Sequence, residues 1–207
     1  MRELSLHILD VLENAVEAGA SRIGIRIDEE EETDSMVIEI NDNGRGMGKN
    51  LIEKVLNPFY TTRKTRHVGL GLPLFLEAAR RCDGDLVLQS EIGKGTRVRA
   101  TFRRSHIDRS PLGDMPSALL AILLSERPVD LDYLHRVNGV EFRFDSSEVR
   151  KELEGIPLTH PRVRDWLFQG LVEGETNLHA EASQRQASIQ QNEREQAKGK
   201  EGVGWQD

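Results

Sequence analysis

Asp42 stands in Asn41-Asp42-Asn43-Gly44-Arg45-Gly46-Met47-Gly48, an acid followed by closely spaced glycines. A carboxylate with bare backbone beside it could accept a hydrogen bond from an exocyclic amine such as that of adenine. Glycine permits that approach because it lacks a Cβ and takes positive φ at no steric cost. Asp-Asn-Gly is equally a common turn. A second pair is Asp10 and Asn14, one helical turn apart and so on one face. An Asn carbonyl oxygen is a hard ligand suited to Mg²⁺. A carboxylate one turn away could orient water or accept a proton. The competing reading is the wet face of an ordinary amphipathic helix. The third group is Thr61-Thr62-Arg63-Lys64-Thr65-Arg66, running to Gly69-Leu70-Gly71-Leu72. Glycines leading into a helix expose N–H groups at the positive end of the helix dipole, which suits phosphate. The preceding cations and hydroxyls could close over an anion, although a surface loop with a glycine cap reads the same way.

The elements that must hold these groups follow from periodicity. Leu4, Ile8, Leu9, Leu12, Ala15 and Val16 predict a helix over 4–18, with His7, Asp10, Glu13, Asn14 and Glu17 on its polar stripe. Ser21–Asp28 alternates as a strand, and the acidic run 29–34 reads as a solvated turn. Met36–Ile40 is a second strand, placing Asp42 at its end. Leu51, Ile52, Val55 and Leu56 are spaced as one helix face, which Pro58 stops. Leu72–Ala79 is an apolar helix with Pro73 in its first turn. Strands follow at 85–90 and 96–104, around a turn at Glu91–Gly95. Arg97, Arg99 and Arg103 share one face of the last strand, as on a solvated sheet edge.

A net charge of −7 disfavours a general nucleic-acid or anionic-membrane surface. The single cysteine, Cys82, allows no intrachain disulfide and fits a reducing compartment. No apolar run reaches the roughly 18–20 residues of a membrane helix, and Met1-Arg2-Glu3-Leu4-Ser5 has no signal-peptide pattern. A soluble cytoplasmic protein is expected, with no membrane and no nucleic-acid partner.

In order, the motifs are a helix with Asn14-Ala15, a strand, Asp42-x-Gly44-x-Gly46, a basic segment, Gly69-x-Gly71 opening a helix, and Gly93-x-Gly95-Thr96 entering a strand. Residues 4–104 so arranged resemble the ATP-binding domain of the GHKL superfamily of topoisomerases, heat-shock chaperones, histidine kinases and MutL-type repair ATPases. The resemblance implies an α+β fold, a two-layer sandwich of mixed sheet with helices on one face (the Bergerat fold), binding ATP with Mg²⁺. It implies Asn14 as the Mg²⁺ ligand, Asp42 on the adenine amine, and Gly44, Gly46 and Met47 around the base. Thr96 would join the network beside Asp42. Gly69 and Gly71 would contact the phosphates, Phe59, Thr61, Thr62, Arg63, Leu70 and Leu72 would also belong to the nucleotide site, and Lys64 and Asp10 would be catalytic groups. The helix ending at 13–20 looks most like the MutL type, and the 57–64 segment like histidine kinases. The ATPases usually carry Glu where this chain has Asp10, one methylene shorter. The chain opens at this first motif, so no upstream helix pair with a phosphoacceptor histidine is expected. His7 reads as a packing or ligand-adjacent residue. The whole chain also resembles a group of small stand-alone ATP-binding proteins. Phosphotransfer to a partner protein in signal transduction, an ATP-hydrolysing switch and a nucleotide sensor all remain open, as does a homodimer.

After a Pro/Gly linker at 105–114, a helix at 115–125, strands at 129–137 and 140–145, and helices at about 146–154 and 162–172 predict a small α+β extension over 105–174. Asn138-Gly139 is a strong hairpin signal. Units this small are marginal alone, so it should dock on the ATP domain or a partner. His106, His135 and His160 look too scattered for a metal site. From Glu175 the chain is polar, with few large apolar residues, and is expected to be disordered or a fraying helix.

Overall fold

The computed structural model describes residues 3–56 and 71–201. Its elements in order are α1 (Leu4–Glu17), β1 (Arg22–Glu30), β2 (Ser35–Asp42), α2 (Lys49–Val55), α3 (Gly71–Arg81), β3 (Leu86–Glu91), β4 (Gly95–Arg103), α4 (Met115–Leu123), β5 (Asp130–Val137), β6 (Val140–Asp145), α5 (Ser146–Glu152) and α6 (Pro161–Glu201). The strands form one sheet in the order β3-β4-β2-β1-β5-β6. The β1–β5 pair is parallel and every other neighbour is antiparallel. This is the mixed α+β arrangement expected for the first hundred residues.

Alternation decides which side is covered. Ile23, Ile25 and Ile27 of β1, Met36, Ile38 and Ile40 of β2, and Val98, Ala100 and Phe102 of β4 all point to one face. They share a single core with Leu4, Ile8, Leu12 and Ala15 of α1, Phe75 and Ala79 of α3, and Leu119 and Ile122 of α4. Each of the fully buried Ile, Leu, Met, Val and Phe side chains among them contributes roughly 1.5–3 kcal/mol. The opposite face carries cross-strand ion pairs. Arg97 meets Glu39 at 2.6 Å and Arg136 meets Asp28 at 3.3 Å. The predicted basic row on β4 therefore has acidic neighbours.

Residues 105–145 do more than dock. The linker carbonyls of Pro111 and Leu112 accept the first amides of α1, from Leu4 and Ser5, at 3.0 and 2.7 Å. β5 then lies in register along β1 from Arg22↔Asp130 to Glu29↔Val137, extending the same sheet. Its hairpin turns at Asn138 and Gly139, both with positive φ, as Asn-Gly predicts.

One expectation is corrected. The 29–34 run is not wholly a solvated turn: β1 continues through Glu29, which is buried with its carboxylate 3.3 Å from the buried ring of His135. Burial opposes the charge on Glu29, but His135 holds its carboxyl below the usual range. The tail from Glu175, for which disorder or a fraying helix was expected, is helical. The last helix runs to Glu201, and Leu178 and Ala182 are buried against Val137, Val140 and Phe142. A few apolar residues at helical spacing suffice because the hairpin supplies the other half of the contact.

Candidate functional site

The inner face of α1 is fixed by the core, so Asp10 and Asn14 turn outward, Asp10 half-buried and Asn14 exposed. The first residue of α3, Gly71, presses on Asp10. A Cβ at 71 would lie 2.9 Å from the Asp10 Cβ and 3.2 Å from its Oδ2. The Asp10 carboxyl thus sits beside the opening turn of α3, with half-buried Leu72 next in the chain.

Asp42 ends β2, opposite Ile23 of β1 and Thr96 of β4. Its Oδ1 accepts the Gly44 N–H at 2.8 Å. Burial pushes the carboxyl above its ordinary range, against hydrogen bonds from the backbone of Gly44 and Thr96 that favour ionisation. Gly44 is buried under the end of α1, where a Cβ would lie 2.9 Å from that of Ala18. Arg45 N–H donates to the Ala18 carbonyl at 3.0 Å, tying the loop to that helix. Gly46 has φ +65°, and a Cβ there would fall 1.9 Å from the Glu91 carbonyl oxygen. Both glycines are therefore demanded by the chain's own close approaches.

The far wall is a hydroxyl pair. Ser90 Oγ accepts the Met47 N–H at 2.8 Å, donates to the Gly95 carbonyl at 2.9 Å, and lies 2.9 Å from Thr96 Oγ1. Thr96 is brought beside Asp42, as expected. Ser90 and its link to Met47 were missed, because a serine in a strand's last turn carries no distinguishing pattern. Asp10 thus meets Gly71, with Leu72 next in the chain, at the start of α3, while Asp42, Gly44, Gly46, Met47 and Thr96 meet around the glycine loop beneath Ala18; Asn14 lies on α1 between the two groups, one turn from Asp10 and one from Ala18. Phe59, Thr61, Thr62, Arg63, Lys64, Gly69 and Leu70 lie outside the described residues. His7 is a packing residue. It is buried, and its ring stacks on Phe75 at 5.3 Å with a 7° interplanar angle.

Residues 2–106, half of the chain, match the family model for histidine kinase-, DNA gyrase B- and HSP90-like ATPases, and the chain belongs to that family. Its N-terminal half is accordingly an ATP-binding, kinase-like domain. Among similar proteins is the signal transduction histidine-protein kinase AtoS of Escherichia coli (strain K12), 40% identical over 96 residues, 46% of this chain and 15% of that protein. The sensor histidine kinase WalK of Bacillus subtilis (strain 168) is 35% identical over 100 residues, 46% of this chain and 16% of WalK. Sporulation kinase C of the same organism is 32% identical over 94 residues, 45% and 22%. The chain spans less than a quarter of the length of these relatives. The crystal structure of the N-terminal domain of a DNA repair protein superposes with a TM-score of 0.45 at 14% identity, over 69% of this chain and 52% of that one. No helix among the described residues is long and apolar enough to cross a membrane.

Proposed function

We propose that residues 2–106 bind Mg-ATP and pass its γ-phosphate to a side chain of a partner protein in a signalling exchange. The observation that carries this is Asp42, half-buried at the end of β2 with its carboxylate already oriented by the Gly44 amide. A carboxylate has lone pairs beyond that one bond, so it receives the adenine amine. Thr96 and Ser90 hold the strand end against which the base lies. The phosphates run towards Gly71 at the start of α3, with Asp10 beside it and Asn14 one turn further along α1, and Gly69 of the same Gly-x-Gly motif adds a backbone contact. Asn14 fits Mg²⁺ because it offers an exposed, hard amide oxygen, and Mg²⁺ takes one or two protein oxygens, keeping waters and phosphate for the rest. The ion would supply neutralisation of phosphate charge. Thr61, Thr62, Arg63 and Lys64 add donors and cations for the γ-phosphoryl group. In the transfer the bond from the bridging oxygen to the γ-phosphorus breaks, and ADP keeps that electron pair. The acceptor atom bonds the phosphorus and its proton leaves to a base, the role assigned to Asp10.

The contact of Asp10 with Gly71 favours a second reading, in which Asp10 orients water and the protein is an ATP-hydrolysing switch. One experiment separates the two. The purified chain is incubated with γ-labelled ATP, Mg²⁺ and a soluble extract, and the label is followed. Transfer predicts label on protein that disappears with Asp42→Asn. Label found only as inorganic phosphate, in an amount that falls with Asp10→Asn, establishes the switch instead. Calorimetry that detects no adenine nucleotide binding by the wild-type chain overturns both.

A further inference from the structure

We propose that His135, Glu175 and His179 form a binding site for a first-row divalent cation, Zn²⁺ by the chemistry of the set. It lies towards the other end of β1 from Asp42: Asp42 pairs with Ile23 and His135 with Ile27, about 13 Å apart along the strand at ~3.3 Å per residue. Glu175 and His179 are one turn apart on α6 and so share a face. That face meets the buried ring of His135 on β5. His135 Nδ1 lies 2.9 Å from Glu175 Oε2, and one ligand atom from each of the three residues lies within 4.8 Å of the others. Bonds of about 2.0–2.2 Å to a shared ion need closer approach than this at His179. That residue is exposed, so its ring can swing in without disturbing the core.

The donor set selects the metal. Two imidazoles and one carboxylate suit zinc and its neighbours, whereas Mg²⁺ and Ca²⁺ favour all-oxygen sites. Metal-bound imidazoles characteristically donate their other N–H to a carboxylate, which fixes tautomer and ring orientation. Here Nε2 of His135 lies 3.3 Å from Glu29 Oε1, and Glu29 is itself held by Arg104 at 3.5 Å. Glu175 is oriented in the same manner. The buried Tyr133 hydroxyl donates to its Oε1 at 2.7 Å, leaving Oε2 turned to His135. Two of the three ligands therefore arrive with their supporting shell built. Three protein ligands leave a fourth position for water or a partner's side chain.

The rival account is an imidazolium shared between Glu29 and Glu175, with no ion. That account leaves His179 only an edge-on ring contact with His135, centroids 5.5 Å apart at 80°, and gives it no ligand role, which makes His179 the discriminating residue. The helix is also gripped further along, by Asn138 Nδ2 donating to Gln186 at 2.6 Å, Arg185 donating to the Gly139 carbonyl at 3.2 Å, and buried Leu178 and Ala182. His179→Ala should consequently fold.

The test titrates Zn²⁺ into chelator-treated full-length chain against a chromophoric chelator, with melting followed in parallel. The expected result is one Zn²⁺ per chain, binding weakened at least tenfold by His179→Ala and by Glu175→Gln, and a Zn²⁺-dependent rise in Tm that His179→Ala removes. His160→Ala, at an exposed position distant in sequence, serves as the control and should bind as the wild type does. Absence of stoichiometric binding overturns the proposal, as does wild-type affinity in His179→Ala.

Discussion

Acid should loosen the helix pair that carries the candidate site, through His7. That ring is buried between α1 and α3, stacked on Phe75, and its Nδ1 has no hydrogen-bond partner. Burial lowers its pKa to about 4 from an ordinary 6.5. A base that is harder to protonate when folded is protonated first in the unfolded chain. Its contribution is therefore complete above about pH 6.5 and is lost as pH falls towards 4. At 1.36 kcal/mol per pKa unit the full loss is about 3 kcal/mol, and near pH 4.5 it is roughly 2.5 kcal/mol. Carboxylates begin to titrate in the same range, so the wild type alone does not isolate the effect. His7→Phe does: it keeps a stacking ring, removes the proton site, and has room in a neighbouring cavity of about 90 Å³ lined by Leu4, Leu74 and Phe102. Urea unfolding monitored by circular dichroism at about pH 7.5 and about pH 4.5 gives the double difference. His7→Phe should lose roughly 2.5 kcal/mol less than the wild type between those conditions. Parallel losses would refute the argument, because they would mean that the imidazole is protonated as readily in the folded chain as outside it.

Gly95→Ala should destabilise on the order of 2 kcal/mol or more, because φ is +94° and the new Cβ would fall 1.9 Å from the Asp42 carbonyl oxygen; urea melts read it, and adenine nucleotide affinity should fall with it. Leu178→Ala should cost about 2–4 kcal/mol, since Leu178 is buried against Val137, with loss of helical circular dichroism from the end of α6; unchanged melting would show that the helix is not docked. Asn14→Ala should leave nucleotide binding measurable without Mg²⁺ but abolish its enhancement by Mg²⁺, as read by paired calorimetric titrations.

The ATP half was legible because its signals are local. The apolar spacing of Leu4, Ile8 and Leu12 and the alternation of Ile23, Ile25 and Ile27 each specify one element, and glycines mark the joints between them. The same locality explains why Asp42 and Thr96, far apart in sequence, could be paired only through the family resemblance. Ser90 escaped because its importance lies in three partners contributed by other segments. The parallel β1–β5 pairing escaped for a related reason. Nothing in β5 distinguishes a strand that extends an existing sheet from one that founds its own, so 105–174 reads as a separate small unit until the register is seen.

Glu29, His135 and Glu175 make the same point about charge. In the sequence they belong to an acidic run, a scattered histidine and a polar tail, and each is individually unremarkable. Their significance comes from burial, which is a property of the assembled sheet. A carboxylate and an imidazole removed from water at that cost are retained only where each satisfies the other. Continuation of α6 past residue 175 is what completes the set, since Glu175 closes the second side of His135. The region that composition marks as least structured thus supplies the polar group on which buried His135 depends, and an amphipathic pattern as sparse as Leu171, Leu178 and Ala182 is enough to put it there.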